Sequence, residues 1–199
     1  SISPAPMTNL VTVKGLLDMA NAIRANPPFY SARVQTLFKD QMVGCVRQVW
    51  NLTYQECLVA IDEAIAFLLT QPPVGPLTLN QGTTRVSWEH SEYLATQLGG
   101  TLSHTGPSTP PPTRATLSDR WVIYNSGSFG ALGENIIRSH PNYWSTEEIV
   151  LLSFIIDDGV ATRGHRTNFF NPVYQHVGIG VYPYTDGAFG RDMMTMYYH

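Results

Sequence analysis

Three side chains with acid–base and metal-ligating chemistry stand out in this sequence: His104, Glu134 and His165. His104 follows a helical segment at the root of a Pro-rich stretch, and Glu134 sits in Gly133-Glu134-Asn135. His165 lies in the sixteen residues Asp157 to Pro172 (DDGVATRGHRTNFFNP), which hold two adjacent acids, two glycines and a histidine flanked by two arginines. Two imidazoles with nearby carboxylates can bind a divalent metal, zinc above all, with water in an open position. The same groups can move protons, because histidine titrates near neutral pH. Asp157 and Asp158 are the nearest further acids, and capping a helix end before the Gly159 turn is their competing role. The three principal candidates are far apart along the chain, so a fold must bring them together.

Helices dominate the first half of the chain. Val13, Leu16, Leu17, Ala20 and Ile23 recur at helical spacing until Asn26-Pro27-Pro28. A second short helix is predicted around Ala32 to Phe38. Tyr54 to Leu69 carries the cleanest apolar stripe, which reads as core packing. A further helix spans about 83–97, with Val86, His90, Leu94 and Gln97 on one side, and Leu117 to Ile123 forms another. Residues 107–113, rich in proline, make a surface loop. Phe129 to Ile137 reads as a strand. Ser145, Glu148 and the Trp144/Ile149 pair form a capping box and staple opening a buried helix that ends at Asp157. Two strands, 176–184 and 191–198, close the chain. The order of elements gives an α+β layered domain over 11–199, preceded by a loose arm at 1–10.

The composition removes several functions. Charged residues are 14% of the 199, against roughly 25% in an average domain, and the net charge of -3 comes with no basic block, so nucleic acid is not a partner. No apolar run of about 18 residues exists to form a membrane-spanning helix. Ser1 is not an initiator methionine, so a processed chain, with any signal peptide already gone, is one reading of the start. Cys45 and Cys57 bracket Asn51-Leu52-Thr53, an N-glycosylation acceptor pattern. One disulfide and a glycan would place the chain outside the cell; two buried thiols and a chance sequon are the competing reading.

Ser103-His104-Thr105, Gly133-Glu134-Asn135-Ile136, Gly164-His165-Arg166-Thr167-Asn168 and Val177-Gly178-Ile179-Gly180-Val181, in that order, resemble the CAP superfamily of cysteine-rich secretory, antigen 5 and pathogenesis-related proteins. Asp157-Asp158-Gly159-Val160 with Arg163-Gly164-His165-Arg166 is more similar to its microbial and protist branch. The resemblance implies an α-β-α sandwich with a central antiparallel sheet. It implies a cleft of two histidines and two acids, with His104 and His165 as metal ligands and Glu134 beside them. The family's fourth member, a glutamate near the end of the helix after Gly-Glu-Asn, has no match here, and Asp157 and Asp158 stand nearest to its place. The implied function is a secreted binding module for a divalent cation, zinc first, and for a sterol, fatty acid or protein partner. Two alternatives stay open: a metal-dependent or His/Glu-assisted hydrolase, and a structural or adhesion domain with a vestigial cleft. Against the hydrolase, no nucleophilic Ser or Cys stands beside the histidines in a recognised motif.

Overall fold

The computed structural model describes residues 11–40, 54–109, 114–126, 129–139, 146–186 and 189–199. Seven helices and four strands are described, in the order α1 (Val13–Ala25), α2 (Pro27–Val34), a π-helical turn (Gln35–Asp40), α3 (Tyr54–Thr70), β1 (Thr78–Leu79), α4 (Gln81–Thr96), α5 (Leu117–Tyr124), β2 (Gly133–Arg138), α6 (Glu147–Ile156), α7 (Gly164–Phe169), β3 (His176–Asp186) and β4 (Phe189–Tyr198). The predicted arm at 1–10, together with Cys45 and Asn51, lies outside the described residues; Cys57 is buried on α3.

The strands form one sheet in the order β1-β3-β4-β2. β3 and β4 are antiparallel neighbours through ten paired positions, and β2 runs antiparallel to β4 with Glu134 opposite Tyr197. The expected antiparallel sheet is therefore mixed at one side only, where the two residues of β1 pair parallel to β3. Side chains alternate across the pleat. Met194, Met196 and Tyr198 of β4, with Val177, Ile179 and Val181 of β3, join α1, α3 and α6 in the larger core. Met193 and Tyr197 face the other way, onto Leu94 and Ala95 of α4 and onto Val86 and Trp121. Helices thus cover both faces, giving the α-β-α sandwich.

The layer under α4 is unusually thin. Added Cβ atoms at Gly178 and Gly180 would lie 2.2 Å from backbone atoms of Thr83 and Ser87, so only glycine lets helix and strand approach this closely. The hydroxyls of Ser87 and Ser91 donate to Gly178 O at 3.1 Å and Gly180 O at 3.2 Å across that seam. Opposite, the buried Arg24 of α1 donates to the carbonyls of Gly75, Phe169 and Tyr174, fastening the end of α7 and the loops before β1 and β3 to one helix.

Element boundaries depart from the sequence expectation in four places. Pro27 does not merely end α1; it occupies the first position of α2, where its missing N–H costs nothing. α2 therefore covers 27–34 rather than 32–38. The strand expected from Phe129 begins at Gly133, where pairing with Tyr198 starts, and Phe129 packs on Trp121 instead. The cap of α6 is Thr146, whose hydroxyl accepts from Ile149 N, and not Ser145; Trp144 and Ser145 lie outside the described residues. Finally, His165 stands in a short helix, α7, not in an open turn.

Placing a side chain at the glycine seam should separate α4 from the sheet. Gly180→Val is expected to destabilise the protein by on the order of 1–3 kcal/mol, read as a lower midpoint in urea denaturation with an unchanged slope.

Candidate functional site

β2 is the outermost strand, and its pleat sends neighbouring side chains to opposite faces. Glu134 points toward α4 and α5; Asn135 points toward α7. Each face then positions one of the two candidate histidines.

On the first face, the loop after α4 brings His104 over Glu134, and the ring donates from Nδ1 to Glu134 Oε1 at 2.8 Å. The His104 side chain is 56% exposed while that of Glu134 is 1% exposed. The other carboxylate oxygen accepts from Arg120 Nη2 at 2.7 Å, with His90 Nε2 3.9 Å away. Burial is the largest influence on Glu134 and pushes its carboxyl up. The hydrogen bond from His104 and the charges of Arg120, His90 and His104 together outweigh it, so the group stays ionised below the ordinary carboxylate range. Arg120 itself enters through α5, started by a capping box in which Thr116 and Asp119 bond each other's backbone N–H.

On the second face, α6 ends at Asp157, which adopts the left-handed conformation at φ 55°. Its carboxylate accepts twice from the next helix: from His165 Nδ1 at 2.6 Å and from His165 N at 2.9 Å. Arg163 is the only other described non-glycine residue with positive φ, at 51°. Such conformations cost of order 1–3 kcal/mol each. Arg163 offsets this by donating to Glu63 Oε2 and Asp157 O, both at 2.7 Å, and to Val160 O at 3.2 Å. Arg166, buried, donates to the carbonyls of Ile155 and Ile156. Asn135 completes the support by donating to His165 O at 3.0 Å. The two arginines therefore hold the turn through its backbone carbonyls.

The two imidazoles face one another with ring centres 6.4 Å apart and planes inclined by 36°. Glu134 and Asp157 each take an Nδ1–H, which in the neutral ring selects the tautomer with its lone pair on Nε2. His104, Glu134, Asp157 and His165 are thus brought together. Asp158 follows Asp157 on the turn, half-buried, and it is Asp157 that binds the histidine. Among the described residues no cluster of three or more His, Cys, Asp or Glu side chains is poised to hold a metal. The arrangement is a two-imidazole pair backed by carboxylates.

Sequence reasoning missed Arg120 but placed His90 on the apolar side of its helix, where it is buried. Arg120 had no signal, being a lone charge before Trp121 on a short helix. His90 had one: it shares the side of α4 that carries Val86 and Leu94, a buried stripe. Its Nε2–H donates to Ser103 O at 2.9 Å, and burial is the main reason its pKa is pushed down to about 4. His176 and His199, which no motif singled out, stack with ring centres 5.0 Å apart at the far end of the sheet from the β3–β4 turn.

The neutral, buried His90 makes acid stability predictable. The unfolded chain takes up a proton here below about pH 6.5, whereas the folded protein resists doing so until about pH 4. The contribution is complete above the unfolded pKa and declines as pH falls through that window, by up to about 1.4 kcal/mol per pH unit. Urea-denaturation midpoints should drop between pH 6.5 and 4, and His90→Gln should flatten the drop.

Comparison with known proteins came to three findings. No curated protein matches the chain. Among solved structures, an outer surface protein from Borrelia burgdorferi aligns at 16% identity and a TM-score of 0.45, over 74% of this chain and 94% of that one. Residues 17–198 match the sequence profile of the CAP family, described as the cysteine-rich secretory protein family. With nearly the whole chain inside that match, and with its histidine–carboxylate pairs carried on a sheet covered by helices on both faces, this protein belongs to the CAP family.

Proposed function

We propose that this CAP protein is a secreted binding module whose cleft offers His104 Nε2 and His165 Nε2 to a divalent cation, with zinc as the preferred ion. The observation that carries this reading is the pair of carboxylate–imidazole contacts, 2.8 Å at His104 and 2.6 Å at His165. Metal-ligating histidines characteristically anchor the second ring nitrogen in this way, which raises ligand basicity and fixes the ring.

The geometry is close to what an ion needs. With metal–nitrogen bonds of about 2.0–2.1 Å, two imidazoles on one tetrahedral ion have ring centres about 5 Å apart. The observed 6.4 Å calls for closure of about 1 Å, within reach of the exposed His104 ring. Two protein ligands leave the remaining positions to water or to a donor from the bound partner. An ion held this way would act as a bridge between the cleft and that partner.

A lipid is the other ligand the family resemblance implied. The pocket of about 340 Å³ between α4 and α5 mixes charged walls, Glu89, Glu92, Arg114 and Arg120, with Val86, Tyr93, Ile123 and Tyr124, so it suits a wholly apolar chain less well than a ligand with a polar group. A protein or peptide partner that adds its own carboxylate or imidazole to the ion fits the cleft better. Hydrolysis of a peptide or ester is the second reading, favoured by the same contacts, since a ring held through Nδ1 by a carboxylate is oriented as a general base.

Calorimetric titration with zinc distinguishes these. Wild type should bind one ion, and His104→Ala and His165→Ala should each weaken binding at least about tenfold. A wild type that takes up no zinc, or variants that bind as well as wild type, would remove the metal reading. Peptide or ester turnover that vanishes in Glu134→Gln would replace it with the enzyme.

A further inference from the structure

We propose that Arg120 is the positioning residue of the cleft: a single buried guanidinium that sets both where His104 stands and which of its ring nitrogens is free. The inference rests on the cleft reading above for its purpose, but its geometry is independent of any metal. Arg120 is 3% exposed. Its Nη1 donates to His104 O at 3.2 Å, to Arg114 O at 3.2 Å and to Ala115 O at 3.3 Å, stitching together the two strands of the loop that carries the histidine. The loop is closed on itself there by Gly106 N to Ala115 O at 3.0 Å and Arg114 N to Pro107 O at 2.9 Å. Nη2 meanwhile binds Glu134 Oε2 at 2.7 Å, which leaves Oε1 as the acceptor for His104 Nδ1–H. One side chain therefore holds the backbone of His104 directly and its ring through Glu134.

His90 grips the preceding residue in the same manner, donating to Ser103 O at 2.9 Å. Consecutive carbonyls, 103 and 104, are thus each held by a buried basic side chain from a different helix. An exposed ring on a loop would otherwise sample many orientations. Holding the two carbonyls and the Nδ1–H removes that freedom without calling on Nε2.

The test uses the full chain labelled with 15N-histidine. In metal-free wild type at pH 7.5, long-range 1H–15N spectra should show His104 and His165 each as the Nδ1–H tautomer. In R120M the His104 pattern should average between tautomers while that of His165 is unchanged, and the zinc Kd should rise about 10–100-fold. R120K keeps the charge beside Glu134 but cannot reach three carbonyls. It should preserve the His104 tautomer while exchange of the Thr105 and Gly106 amides quickens about tenfold or more. An R120M variant with the wild-type His104 pattern would overturn the proposal, and so would R120K with wild-type amide exchange, which decides the matter should R120M fail to fold. A wild type that binds no zinc but loses its His104 tautomer in R120M would sink the metal reading and leave this one standing.

Discussion

The whole site depends on the pleat of β2. Glu134 and Asn135 are adjacent residues, yet the strand turns their side chains to opposite faces of the sheet. Because β2 is the outermost strand, material from both faces can wrap past it and meet. The loop after α4 comes from one side and α7 from the other, each seized by one of these two residues. A strand in the middle of the sheet could hold two such segments, but neighbouring strands would keep them apart.

The two halves of the cleft are held by different physics. Around His104 the means are electrostatic: a carboxylate with almost no solvent access, stabilised by Arg120 and by the imidazole, with His90 close by. Burying a charge is costly unless it is paired and hydrogen-bonded, so Glu134, Arg120 and His104 need one another. Around His165 the means are conformational. Asp157 and Arg163 both sit in left-handed backbone, and the segment between them is shaped so that one carboxylate can take both the amide and the ring of His165. The result is a stiff histidine on one side and a tethered but solvent-facing one on the other.

Much of this was legible in the sequence, for reasons that also explain what was not. Helices α3, α4 and α5 declared themselves because their apolar residues follow a local period. The final strands did so by alternation and the Thr185-Asp186-Gly187 break. His104, Glu134 and His165 were legible as short motifs in a fixed order, and Asp157 as the nearest acid to the unmatched fourth position. Arg120 was not, because its role comes from contacts 14 and 16 positions away, at Glu134 and His104, and no local pattern encodes them. The start of β2 was misplaced because the apolar Phe129-Gly130-Ala131-Leu132 reads as part of the strand, whereas pairing with β4 begins only at Gly133. Thr146 rather than Ser145 caps α6 for a similar reason: two adjacent hydroxyl residues offer equivalent caps until the backbone chooses one.

Asn168 donates to the carbonyl of Glu134 at 3.4 Å and to Asn135 Oδ1 at 3.1 Å. That carbonyl belongs to the rim of the sheet, where an unpaired row of backbone groups invites a foreign strand to dock. Asn168, on the same helix as His165, therefore covers one acceptor of that rim. A lesion that dislodged α7 would cost the protein more than its histidine, since it would also uncover that acceptor at the sheet edge.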